Sequence, residues 1–174
     1  MKSKLYFLKL PLKVASILIL WIVFFLLVCN KFKINKFDSL FKIIPKEIIL
    51  ITGFVLVAIG AVCYVLSLKE VGIIAASGFP RKLKIKGPYK YVRNPLYGSL
   101  ILVILGFGMI INSTGIILGI LTWIFICLLQ CKEEEAQLKS VFKQEYIRYL
   151  QSTPMIIPNF KLLLQDFINK IKIK

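Results

Sequence analysis

The chain contains no histidine. That absence removes the side chain most used as a general base near neutral pH and the commonest metal ligand, so histidine-dependent hydrolysis and histidine metal sites are excluded. Acids are scarce as well: 8 Asp and Glu stand against 24 Lys and Arg, for a formal charge of +16. Arginine is rare among the bases, at positions 81, 93 and 148. Charged residues total 18% of the chain, below the roughly 25% of an ordinary soluble domain. Cysteine is limited to Cys29, Cys63, Cys127 and Cys131, and three of these sit inside long apolar runs. Cys127 and Cys131 are one helical turn apart. Packing as small apolar residues is favoured over a disulfide or a metal site.

Apolar residues are what the chain has in excess, 58% of 174 residues, against about 45–50% in soluble proteins. One domain of this size cannot hide so much apolar surface, which predicts an integral membrane protein. The lysines are scattered around hydrophobic runs and are not gathered on a soluble module. That argues against nucleic acid as a partner and for anionic lipid headgroups.

Three uncharged runs organise the chain. Val14–Cys29 follows a lysine-bearing N-terminus; no small-x-small cleavage site follows it, so it is read as a retained span over about 14–30 and not as a signal peptide. Ile48–Leu68 has 21 uncharged residues, enough to cross alone. Asn94–Cys131 has 38. As a single helix that run would reach ~57 Å, far beyond a hydrocarbon core of about 30 Å. Asn112-Ser113-Thr114-Gly115 at its midpoint is a turn signal, giving a hairpin of spans 95–111 and 115–131. The expected fold is therefore all-α and polytopic: about four transmembrane helices with a hairpin of the third and fourth, plus cytoplasmic amphipathic helices. Loop 69–94 and the region 132–174 complete the single domain.

Charge bias places the loop and the lysine-rich C-terminal region in the cytoplasm and the Asn112–Gly115 turn outside. The connection 30–47 then lies outside with five lysines, against the rule. Either it is interfacial or the first segment does not cross fully. After Cys131, Leu138, Phe142, Tyr146 and Tyr149 share one helical face. Phe160, Leu163, Leu164, Phe167, Ile168 and Ile171 share another, and both stripes fit helices lying on the bilayer or on the spans.

The segment richest in chemistry is Arg81-Lys-Leu-Lys-Ile-Lys-Gly-Pro-Tyr-Lys-Tyr-Val-Arg-Asn-Pro-Leu-Tyr97. It is basic and aromatic, and no acid occurs between Glu70 and Glu133. Asn94-Pro95 is also a plain helix start, an N-cap residue followed by proline at the first helical position. The lysines serve equally as a positive-inside anchor. Glu133-Glu134-Glu135 would ordinarily be a solvated face, yet acids are unfavourable at the C-terminal end of a span and beside anionic lipid. A cation should compensate them, either the 81–93 loop or a ligand.

Gly87-Pro-Tyr-Lys-Tyr-Val-Arg-Asn-Pro-Leu-Tyr97, followed after two spans by Glu134-Glu135-x-x-Leu138 and Phe142-x-x-x-Tyr146-x-x-Tyr149, resembles the integral-membrane methyltransferases. That family includes isoprenylcysteine carboxyl methyltransferase and the phospholipid N-methyltransferases, and the resemblance covers roughly residues 69–158. It implies S-adenosylmethionine as methyl donor, held on the cytoplasmic side by Arg81, Lys82, Leu83, Lys84, Tyr89, Asn94, Pro95, Leu96, Tyr97 and Glu134, with no metal. Glu134 would pair with the donor's ammonium, basic groups or backbone N–H groups at the Pro95 helix start with its carboxylate, and Tyr89 or Tyr97 with its ring. Many relatives carry histidine at the position of Asn94. Gln130 stands where the isoprenylcysteine enzymes have a substrate-linked arginine, so a carboxylate acceptor would lose its cationic partner here. The expected acceptor is a lipid or lipid-like small molecule. Two other readings share the architecture: a non-enzymatic membrane scaffold that keeps the fold, and an NADPH-dependent membrane reductase, for which the chain is short.

Overall fold

The computed structural model describes residues 20–21, 23–24, 27, 44–72 and 83–172. Its elements are α1 (Lys46–Val71), a 3-10 turn (Gly87–Lys90), α2 (Pro95–Ile110), α3 (Thr114–Ser152) and α4 (Phe160–Lys172). Among the described residues there is no strand. The connection 30–43, the residues Arg81 and Lys82, and most of the first apolar run lie outside the described residues.

α1 starts after Pro45, whose carbonyl accepts from the N–H groups of Ile48 and Ile49. With 26 residues it is ~39 Å long, more than a hydrocarbon core requires. Ile51, Phe54, Val55 and Val62 project from it about half exposed or more, a surface that hydrocarbon solvates and water does not. One stripe is different. Gly53, Gly60 and Ser67 recur at seven-residue spacing and are buried, and the two glycines meet Gly106 and Ser99 of α2, which are seven apart as well. The backbones nearly touch there: a Cβ on Gly106 would stand 2.5 Å from the Gly53 carbonyl oxygen, and one on Gly60 would stand 2.9 Å from that of Ser99. Ser67 donates to Cys63 O of its own helix at 2.6 Å, and Ser99 likewise to Pro95 O. Ser99 therefore acts as a small residue in this seam, and neither serine hydroxyl is an interhelical donor.

α2 and α3 form the expected hairpin, with a tighter turn than the sequence suggests. Ile111 and Asn112, the latter at φ 53°, make the reversal. Ser113 is already the N-cap of α3, its hydroxyl accepting from Ile116 N, and Thr114 and Gly115 are helical. α2 has 16 residues and is only ~24 Å long, short of a core of about 30 Å. α1 and α3 are the two described helices long and apolar enough to cross a membrane.

The starting point of the amphipathic helix expected after Cys131 is corrected. The helix of the span runs on through the acids to Phe142, and a kink at Lys143 (φ 45°) separates it from a second helical stretch that carries Tyr146 and Tyr149 to Ser152; α3 denotes the two together, 39 residues in all. Nothing between Cys131 and Phe142 can stop a helix: there is no proline or glycine, and Lys, Glu, Ala, Gln and Leu favour continuation. Thr153 ends it, and Pro154 and Pro158 keep residues 153–159 out of helix, as their spacing predicts.

The core lies where Trp21 meets α2 and α3. Trp21 and Trp123 pack as a tilted pair, 5.6 Å between centroids with 50° between the ring planes, Trp21 Nε1 donates to Thr122 Oγ1 at 2.8 Å, and Tyr97, Cys127 and Cys131 complete the cluster. Both cysteines are buried with free thiols, the packing role their apolar setting implies.

Candidate functional site

The loop before α2 is shaped by its glycine and proline. Gly87 takes φ 57°, open to glycine at no steric cost, and Pro88 sets the turn that follows. Tyr89 N donates to Lys86 O and Tyr91 N to Pro88 O, both at 3.1 Å. The turn packs on the end of α1, where a Cβ on Gly87 would stand 3.4 Å from Glu70 Oε2.

From Tyr91 onward the loop is stitched to the tail beyond α3. Arg93 N donates to Pro154 O at 2.8 Å, Asn94 N to Met155 O at 3.0 Å, and Asn159 N to Tyr91 O at 2.9 Å. Side chains add to the joint. Tyr149 Oη donates to Tyr89 O at 2.6 Å, and Arg93 Nη1 donates to Leu150 O at 3.2 Å in the last turn of α3, where a cation also suits the helix dipole. Asn94 occupies the N-cap position of α2, yet its side chain makes no cap. Its amide instead donates to Met155 O at 3.2 Å.

On the facing side, α3 brings its acids to this joint with distinct roles. Glu133 is exposed. Glu135 turns inward, with Oε1 3.2 Å from Arg93 Nε; the two side chains are only 7% and 10% exposed. The pair lacks hydrogen-bond alignment, so it is an ion pair held by charge in a poorly solvated place. The cation demanded by the acid run is thus Arg93, and it is spent on Glu135. Glu134 has a neutral partner: Tyr97 Oη donates to its Oε1 at 2.6 Å, and among the described residues no cation pairs with it. Desolvation raises its pKa, the Tyr97 hydrogen bond opposes that, and the charge of Glu133 adds to the rise.

One turn earlier, Gln130 is 8% exposed and its Oε1 has no hydrogen-bond partner among the described residues. A buried acceptor left open in this way calls for a donor that the described residues do not supply. Tyr89 is half-buried opposite. Burial raises its phenol pKa, and the charges of Tyr149, Glu134 and Glu70 raise it further, which sets this ring within their field.

The structure therefore brings Tyr89, Asn94, Pro95, Tyr97, Gln130 and Glu134 to one junction. Leu83, Lys84 and Leu96 are half-buried, Leu96 next to the junction in sequence, and Arg81 and Lys82 lie outside the described residues. Tyr97 is buried in the core with its hydroxyl on Glu134, so the half-buried Tyr89 is the aromatic ring of the two with an accessible surface. Sequence reasoning missed Arg93 as the partner of Glu135 and Tyr149 as the clamp on Tyr89. The signals were present: Arg93 precedes Asn94-Pro95 directly, and Tyr149 stands on the apolar face of its helix.

The residue set suits a ligand that carries cationic and N–H groups beside a ring. Glu134 offers an uncompensated carboxylate, Gln130 an open acceptor and Tyr89 a ring, while the first amides of α2, at Leu96 and Tyr97, point from a helix start able to hold a carboxylate. The family model of phospholipid methyltransferases matches residues 48–145, more than half of the chain. No curated protein and no solved structure matches it.

Proposed function

The chain belongs to the phospholipid methyltransferase family, and from that premise we propose that it is an S-adenosylmethionine-dependent methyltransferase of the membrane, acting on a lipid or lipid-like acceptor. The observation that carries this reading is Glu134: a carboxylate raised in pKa by desolvation, bonded to Tyr97 and left without a cation among the described residues, next to the open acceptor of Gln130.

When bound, S-adenosylmethionine supplies a methyl group already activated by its sulfonium. What remains for the protein is alignment and exclusion of water. Glu134 holds an ammonium, with Tyr97 fixing the carboxylate's rotamer. Tyr89 presents a ring face, and Tyr149 steadies the loop backbone beneath it. Lys84, with Arg81 and Lys82, supplies positive charge for a carboxylate. Arg93 is already engaged by Glu135 and Leu150 O, so it locks the joint and does not bind ligand. No strong base is needed where the acceptor is an anion or a neutral amine, which accommodates a chain without histidine.

The topology that fits this role is polytopic, with four crossings, α2 and α3 as the hairpin, and the junction on the cytoplasmic side. A hydrophobic acceptor then reaches Gln130 sideways from the bilayer between the spans. Photo-cross-linking from a lipid probe to α2 and α3 residues is expected; labelling of soluble-side residues alone counts against that path.

Calorimetry on the detergent-purified protein tests the donor. Saturable binding of S-adenosylmethionine is expected, weakened about 10- to 100-fold by Glu134→Ala, as for loss of a charge-assisted contact. A folded sample that binds no S-adenosylmethionine overturns the reading.

A further inference from the structure

α4 has two faces that point to different partners. Leu162 and Asp166 are half-buried against the loop, where Asp166 accepts from Tyr91 Oη at 2.8 Å and pairs with Lys90 Nζ. Asn159 completes the attachment: it caps the helix through Leu162 N at 3.2 Å while its own N–H is held by Tyr91 O. On the opposite side Phe160, Leu164, Phe167 and Ile171 form one apolar stripe, each more than half exposed. Lys161 and Lys172 stand exposed along one border of it. Asp166 is the only acid of the helix, and it is turned inward and neutralised by Lys90. The outward surface is therefore apolar and cationic with no negative charge.

From these contacts we infer that the outer face of α4 docks on acidic phospholipid, and that Asp166 transmits this docking to the Lys90–Tyr91 segment beside Tyr89. The charge distribution selects the occupant. An apolar stripe bordered by lysines sinks to the acyl boundary while the ammonium groups reach anionic headgroups, and each lysine near such a surface adds to the attraction. Asp166 is a positioning residue here; it joins a lipid-reading helix to a loop two residues from Tyr89. This rests on the membrane part of the function proposed above and not on the methyl-transfer part.

Amide hydrogen exchange on the full chain tests it, comparing phosphatidylcholine vesicles with vesicles that also contain phosphatidylglycerol. In the acidic vesicles the α4 amides are expected to exchange at least about tenfold more slowly, those of residues 89–92 to slow with them, and high salt to reverse both. Lys161→Glu with Lys172→Glu removes the dependence on lipid charge while α1 stays protected. Asp166→Asn leaves α4 protected but removes the response of residues 89–92. Equal exchange in the two vesicles overturns the docking, as does protection that ignores salt or follows the protein-to-lipid ratio, which would mean that a second copy covers the face. A loop response that survives Asp166→Asn overturns the coupling. Protection of α1 in every sample reports insertion, and no donor is present, so failure here is distinct from failure of the methyltransferase reading.

Discussion

The α1–α2 seam and the joint between the Gly87–Asn94 loop and the tail both hold two segments side by side, by opposite means. The seam has almost nothing in it. Gly53, Gly60 and Gly106 bring backbone against backbone, and Ser99 bonds within its own helix. The joint is dense with polar contacts: three main-chain hydrogen bonds, an ion pair and three side-chain hydrogen bonds to carbonyls. In lipid no hydrophobic force drives two apolar helices together, so close van der Waals contact must hold the seam. The joint carries loop backbone, whose N–H and C=O groups need partners wherever water is excluded. Dispersion over many atoms tolerates no added volume, whereas a hydrogen-bonded joint tolerates volume but not a missing partner.

The largest effect should come from adding volume to the seam. Gly106→Leu places a side chain where even a Cβ stands 2.5 Å from Gly53 O, a backbone atom that cannot swing aside. Loss of about 3 kcal/mol or more is expected, seen as a collapsed thermal transition in detergent. Gly98→Ala in the same helix is the control. Its Cβ meets only Ile156 O, at 3.5 Å, so the gain of about 0.5–1 kcal/mol in helix preference should appear as a slightly raised Tm. Equal losses from both variants would mean that the seam is not the tight element.

Removing a partner should break the joint while sparing the seam. Arg93→Met leaves Glu135 buried and unpaired, at an expected cost of about 3 kcal/mol. Amides of residues 91–94 and 146–159 should exchange faster while those of α1 hold. Adding Glu135→Leu should recover most of the loss, because the pair gains little over apolar packing. If the double variant is no better than the single one, Arg93 acts through Leu150 O and not through Glu135. A milder version is Tyr149→Phe, which deletes the donor to Tyr89 O and should cost about 1 kcal/mol.

The two regions were unequally legible in the sequence. Uncharged run lengths gave α1 and the hairpin because hydrophobicity is a local property. The seam's register was written in the seven-residue spacing of Gly53, Gly60 and Ser67, but spacing alone does not name the helix opposite. α3 was divided too early, since the end of an apolar run marks a change of solvent and not the end of a helix. At the site, resemblance brought Tyr89, Tyr97 and Glu134 forward. It did not separate Glu134 from Glu135, because which of two adjacent acids meets Arg93 depends on the rotation of α3, and only packing fixes that.

Glu134 lies between the two regions and gives the finest comparison. Its folded pKa is raised, chiefly by desolvation, so the folded chain holds this proton more tightly than the unfolded chain does. Its contribution to stability is then fully present below the ordinary carboxylate range and is lost as pH rises through the raised value. Glu134→Gln keeps an acceptor for Tyr97 Oη and abolishes the titration. Without donor, its Tm should match that of the native chain at acid pH and exceed it at neutral pH, by an amount on the order of 2 °C. Donor binding should move the other way. A cation favours the ionised carboxylate, so affinity in the native chain should fall as pH drops through the raised pKa, while the variant should bind weakly at every pH. A variant less stable than the native chain at neutral pH would mean that Glu134 is held by a structural partner and is not left open for a ligand.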